Sequence, residues 1–278
     1  MNVIILMLMV TVCYTITSLN DKYAVAKAKF TGNEFTFLMC SSLAIFLVFT
    51  MPFQELNFTL TWQSFAGIFM IAVCKLLEFQ MSALVLKQLS TFELKAWLGV
   101  TLFVSYITDV FYGADMQIGK LFCIVVTIVG LIFIVRSGKD EKIEYRKIVV
   151  PLILYLLAKY GYGLTIKAFN PYISSTMQLL FALILISIIM LFKIKPSQIL
   201  KKNKSATWKV ILARIPNTIG MLLENAIIAI SLSDYSFIQP MVLVTLFLIG
   251  ILRKEHHTKF NILGSVICIV GVVMFQLL

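Results

Sequence analysis

Apolar runs of about 18 or more residues recur down the chain between short polar stretches, and each reads as a bilayer-spanning helix. They fall at 2–20, 35–53, 62–86, 91–112, 117–136, 148–168, 172–193, 207–232, 235–253 and 258–278. The pattern predicts an all-α integral membrane protein of ten transmembrane helices. The longest polar stretches, 136–147 and 193–209, leave no length for a soluble domain. The first run has no basic residue before it and no small-residue cleavage site after it, so it is expected to stay as a span rather than be removed as a signal peptide.

Polar residues inside the spans are placed with helical spacing. In span eight Arg214, Asn217, Thr218, Met221, Glu224 and Asn225 lie on one face of a helix, and the other face is Ile, Leu and Ala. A polar stripe of this length cannot face lipid. It lines a cavity or packs on polar partners, and a buried interhelical network without a solute is the alternative. Pro216 and Gly220 on the same helix free a carbonyl or bend the axis. Span three carries Lys75 and Glu78 one turn apart, close enough to neutralise each other. In span six Tyr155, Lys159, Tyr162 and Gly163 share a face, as Tyr14 and Ser18 do in span one. Span four carries Trp97, Thr101, Ser105, Thr108, Asp109 and Tyr112 at roughly helical spacing.

Composition agrees with the spans. Hydrophobic residues are 60%, mean hydropathy is +0.96, and charged residues are 13%, against about 25% in a soluble domain. The five cysteines (Cys13, Cys40, Cys74, Cys123, Cys268) all fall within spans, in no metal-binding spacing. The net charge of +11 is a topology signal rather than a nucleic-acid footprint. Basic residues gather in loop one (Lys22, Lys27, Lys29), loop five (Arg136, Lys139, Lys142, Arg146, Lys147), loop seven (Lys193, Lys195, Lys201, Lys202, Lys204, Lys209) and loop nine (Arg253, Lys254, Lys259). Loops two and eight have none, and loops four and six have Lys120 and Lys167. The positive-inside rule then sets the odd-numbered loops in the cytoplasm and both termini outside.

The chain also reads as a duplication. Residues 75–90 and 221–236 match at six of sixteen positions without a gap, including Leu76-Leu77-Glu78 and Leu222-Leu223-Glu224. Trp62 pairs with Trp208, and Ile128-Val129-Gly130 with Ile269-Val270-Gly271. A five-helix unit repeated in tandem inserts upside down the second time. The opposite basic bias of loops two and seven, and of loops one and six, meets that requirement. The units are expected at 1–138 and 148–278.

Pro240 early in span nine, Glu255 at its end, and Gly264 and Gly271 in span ten resemble the EamA-type half of the drug/metabolite transporter superfamily. Ten spans in two repeats fit it too, so the resemblance covers the whole chain. The first half departs from the pattern, with Leu94 in the place of Pro240 and Gly130 the clear glycine of its pair. The resemblance implies a secondary carrier with a central cavity and alternating access.

A carboxylate in hydrocarbon costs about 2.5–3.5 kcal/mol on insertion scales. Two of them at corresponding places point to a polar site between the halves. Inversion of the halves is expected to set Glu78 and Glu224 on either side of the midplane, where they can pass a cation or proton. The candidate central-cavity residues are Glu78, Glu224, Arg214, Asn217, Asn225, Lys75, Tyr14, Tyr155, Lys159 and Trp97. Aromatic rings beside carboxylates favour amines, although Trp and Tyr also form interfacial belts. Asp109 and Glu255, at span ends, read as salt-bridged or snorkelling.

No nucleophile–base or metal constellation supports an enzyme. The adjacent His256-His257 lacks zinc spacing, no filter sequence supports a channel, and no phosphate loop of the G-x-x-x-x-G-K-[ST] kind occurs. The expected function is secondary transport of an amine-bearing, cationic or zwitterionic metabolite across the cell membrane, with proton coupling as an option. An organic phosphate carrier and a non-transporting scaffold are the alternatives. No cofactor is expected. The partners are a small-molecule substrate and the lipid bilayer, with the chain as monomer or homodimer.

Overall fold

The computed structural model describes residues 3–54, 56–89, 94, 97–99, 101–136, 145–197, 199, 204–252 and 259–278. Among these residues the chain is helical: α1 (Val3–Lys22), α2 (Gly32–Thr50), α3 (Trp62–Val85), α4 (Thr101–Phe111), α5 (Ile118–Arg136), α6 (Tyr145–Phe169), α7 (Ser175–Leu191), α8 (Lys204–Ile230), α9 (Leu232–Leu252) and α10 (Lys259–Leu277). Six segments are long and apolar enough to cross a bilayer: Val3–Val25, Gly32–Phe53, Trp62–Val85, Ile148–Phe169, Lys204–Ile230 and Leu232–Gly250. This is the build of a multi-pass membrane protein.

Local chemistry explains the helix ends. Helix α2 starts three residues before the expected span because Thr31 and Glu34 form a reciprocal capping box, with Glu34 N donating to the Thr31 hydroxyl at 3.2 Å and Thr31 N to the Glu34 carboxylate at 2.7 Å. Helix α8 is two pieces, Lys204–Leu212 and Arg214–Ile230, interrupted at Ala213. Pro216 lies four residues after Leu212, so it supplies no N–H to that carbonyl and its ring crowds it. The expected span at 91–112 is a continuous described α-helix from Thr101; before it Leu94, Trp97 and Leu98 are helical, and most of the other residues there lie outside the described ones. So do residues 253–258, with Glu255 and the histidine pair.

On α1 and α8 polar residues are buried while large apolar ones are exposed, the opposite of a soluble helix. On α1 Thr11, Tyr14, Thr15 and Ser18 are buried, while Ile5, Leu8, Val12 and Ile16 are exposed. On α8 the stripe of Arg214, Asn217, Thr218, Met221, Glu224 and Asn225 is buried, while Ile215 and Ile219 face out. Exposed apolar side chains beside polar ones buried within an apolar core suit hydrocarbon as solvent. Buried hydroxyls spend their donors locally, as in Thr11 to Met7 O and Thr15 to Thr11 O, both at 2.7 Å.

The helices meet at two ends. At one end, called here the odd-loop end, Lys22 donates to the carbonyls of Leu86 and Leu89, at 2.6 and 2.8 Å. At the other, the even-loop end, Phe58 and Ile173 form an antiparallel bridge and Ser174 N donates to Asn57 O at 2.8 Å. Helix α3 packs on α6 and α7, and α1 on α8 and α9. The pairs α2–α7, α4–α9 and α5–α10 also pack together. The α5–α10 contact is backbone-close: a Cβ on Gly130 would come within 2.7 Å of both Cys268 N and Gly264 O. Four helices, α1, α3, α6 and α8, surround the polar centre.

Candidate functional site

Helix α3 presents Lys75 and Glu78 one turn apart, and they pair at 2.8 Å. Helix α6 brings Lys159 between the glutamates, its Nζ 3.4 Å from Glu78 Oε1 and 3.2 Å from Glu224 Oε1. Helix α1 completes the set, where the Tyr14 hydroxyl donates to Glu224 Oε2. The four charged groups are all buried, Glu224 and Lys75 at 0% and 1% exposure. With all four ionised their charges sum to zero, and each charge touches an opposite one. That is the condition under which burying charge is tolerated.

Tyrosines enclose the network. Lys159 Nζ lies 5.6 Å from the centre of the Tyr14 ring and 5.8 Å from those of Tyr162 and Tyr235. Lys75 Nζ sits 3.7 Å over the Tyr162 ring. Tyr162 donates to Asn225 Oδ1 at 2.6 Å, and Tyr235 to the Lys159 carbonyl at 2.9 Å. Glycines make room for two of these rings. A Cβ on Gly220 would come within 2.8 Å of Tyr14 Cε1, and one on Gly163 within 2.8 Å of Tyr235 Cε1. The effect of Gly220 here is clearance for a ring, a different contribution from the bend that its place beside Pro216 suggests.

A hollow of about 80 Å³ opens beside the network, lined by Lys75, Glu78, Tyr14, Tyr155, Lys159 and Asn217, among others. Its wall runs on to Asp21 and Leu86, so it is reached from the odd-loop end. The even-loop end has a wider depression of about 580 Å³ around Asp109 and Lys167. There Asp109 pairs with Lys167 at 2.7 Å and accepts from Leu232 N at 3.0 Å and Ser233 N at 2.7 Å, which caps α9 from α4. The salt bridge expected of Asp109 is present, and the cap is an addition.

The expected site residues divide accordingly. Glu78, Glu224, Lys75, Lys159 and Tyr14 meet, and Tyr155 and Asn217 line the hollow beside them. The two carboxylates meet on one ammonium, Lys159 Nζ, which lies 3.4 Å from Glu78 and 3.2 Å from Glu224. Arg214 is fully buried but turns to Asp21, its Nε donating to Val210 O at 3.1 Å. Asn225 forms the wall of a different cavity. Trp97 is 37% exposed and is not among the residues lining the hollow. Sequence reasoning missed Tyr235 and Asp21. Tyr235 had one available signal, since it falls within the matched segment 221–236. Among the described residues no three His, Cys, Asp or Glu side chains gather as a metal site.

No protein-family model matches this chain. No curated protein matches it either. A solved structure described as "Crystal structure of protein" superposes with a TM-score of 0.62 at 9% identity, covering 96% of this chain and 98% of that one. The chain therefore shares the fold of that structure over nearly the full length of both.

Proposed function

We propose that the chain is a secondary carrier on the drug/metabolite transporter plan, with ten spans in two oppositely inserted five-helix units at 1–138 and 148–278. It moves a small amine-bearing metabolite, cationic or zwitterionic, across the cell membrane by alternating access, and proton coupling is the drive that its carboxylates suit. The packing supports two related units. Adding five to each helix number maps the α3–α6 contact onto α8–α1, and turns α2–α7, α4–α9 and α5–α10 onto themselves.

The observation that carries the reading is the setting of Lys159. Its ammonium lies between two carboxylates and among three tyrosine rings. Carboxylates and aromatic faces are also what a soluble amine seeks. Lys159 thus holds the place of a substrate ammonium, and a substrate amine entering from the hollow displaces it. A zwitterion brings a carboxylate that receives the released lysine, so the buried charge stays balanced throughout. An anionic phosphate fits less well, because both lysines of the site already answer to glutamates. With the basic odd-numbered loops in the cytoplasm, a hollow reached from that end belongs to an inward-open form.

The experiment is uptake into proteoliposomes, preceded by a thermal-shift screen of amino acids, polyamines, choline-like compounds and sugar phosphates. The reading expects a stabilising amine or zwitterion that is then accumulated. Stabilisation and uptake confined to sugar phosphates would replace it with the anion reading.

A further inference from the structure

Away from the central network, a groove of about 190 Å³ lies between α2 and the start of α8. It is walled by α2 from Phe37 to Phe46, by Pro196 and Ile199 after α7, and by Thr207 and Ile211 of α8. The α2 positions come in pairs one turn apart, so the groove runs about 13 Å along that helix. Helix α2 begins at the odd-loop end, and loop seven brings Pro196 and Ile199 to the same end. The groove therefore starts there and points towards the middle of the helices.

Its floor is buried, at Leu38, Ser42, Ile199 and Thr207, while its lip is open, with Ile45 57% exposed. Ser41 and Ser42 offer it no free donor, because they donate to the carbonyls of Phe37 and Leu38. Apart from these two and Thr207 the wall is apolar.

The odd-loop end of the groove is cationic. Lys195 precedes Pro196, and Lys204 lies one turn before Thr207 on α8. Both are exposed, and neither pairs with a carboxylate among the described residues. Residues 193–209 hold six lysines and no acidic residue. Glu34, the acidic residue of α2, accepts from Thr31 N in its capping box.

We propose that this groove binds one anionic diacyl phospholipid, with an acyl chain laid along α2 and its phosphate held by Lys195 and Lys204. Acyl chains run along the bilayer normal, as spanning helices do, and basic clusters beside a span draw anionic headgroups. A neutral headgroup leaves the two lysines without a counter-charge. The proposal goes beyond the carrier reading and needs only the membrane build. The lipid fastens the first piece of α8 to α2, just before the interruption at Ala213. Arg214 follows that break and reaches Asp21 on the wall of the hollow, so an occupied groove steadies the hollow's mouth.

The test is native mass spectrometry of the full chain, purified in detergent and offered equal amounts of dioleoyl phosphatidylglycerol and dioleoyl phosphatidylcholine. One phosphatidylglycerol per chain is expected to be retained, at about tenfold preference over phosphatidylcholine. Lys195→Gln combined with Lys204→Gln is expected to erase the preference. Lys259→Gln, at an exposed lysine that starts α10, is expected to leave it intact. Ser41→Trp fills the groove, keeps the lysines and is expected to lose the lipid. Ile45→Trp on the open lip serves the same end, and unchanged melting of the lipid-free chains shows that the variants are folded. Equal retention of the two lipids, a preference that falls as far with Lys259→Gln, or retention that survives both groove variants overturns the site. So does a dimer of the chain that forms through this face and sheds the lipid. The readout is lipid retention and not uptake, so the carrier reading stands or falls separately.

Discussion

Lys159 and Glu224, 65 residues apart in sequence, meet at 3.2 Å between α6 and α8. The same ammonium reaches Glu78 on α3, so one lysine ties together helices from both halves of the chain. Removing it leaves two buried carboxylates with one remaining cation, Lys75. Breaking a buried pair costs about 3–5 kcal/mol. Lys159→Met is therefore expected to lower thermal stability in detergent by that order. Adding Glu224→Gln to Lys159→Met is expected to recover part of the loss, and a double-mutant cycle reads the coupling.

Gly220 bears on function through Tyr14. A methyl group there would come within 2.8 Å of Tyr14 Cε1 and push the ring off Glu224. Gly220→Ala is expected to cut uptake at least about tenfold, the loss of one good hydrogen bond in the loaded site. Replacing Tyr14 by Phe is expected to give a similar loss without the steric strain. Matched initial rates of uptake for the two variants check this.

Asp109 joins α4 to α6 and α9 at the end opposite the hollow's mouth. Asp109→Ala leaves Lys167 without its carboxylate partner and uncaps α9. The expected cost is about 1.5–3 kcal/mol, the range for hydrogen bonds to a charged group. A cysteine at Asn217 is expected to become reactive from the even-loop side in this variant, while in the parent chain it reacts from the odd-loop side only.

The α5–α10 contact depends on the absence of side chains. Gly130→Ala drives a Cβ onto backbone atoms of α10 at 2.7 Å, and overpacking of this kind costs about 1–3 kcal/mol. Gly32, where a Cβ would meet nothing within 4 Å, is the control, and Gly32→Ala is expected to leave the melting temperature unchanged.

Helical character, six of the long apolar spans and the polar face of α8 were legible in the chain because all are local. Apolar run length marks a span, and Arg214 to Asn225 share a face by helical spacing alone. Partner choice was not legible. Tyr14 finds Glu224 across 210 residues, and nothing near either one announces it. Arg214 reads as a cavity cation, but its turn towards Asp21 depends on how α1 meets α8. Trp97 shares a roughly helical spacing with Asp109, but spacing along one helix does not say which neighbours it meets, and Trp97 is 37% exposed and not among the residues lining the hollow. Asp109 announced a charge at a span end, but its cap on α9 needed the fold.

The most direct measurement is uptake of a labelled zwitterion, chosen by the thermal screen, into proteoliposomes holding either the parent chain or Glu224→Gln. Accumulation is expected with the parent and only background entry with the variant, provided both elute as the same folded species. Equal accumulation by the two proteins would contradict a substrate amine bound between Glu78 and Glu224.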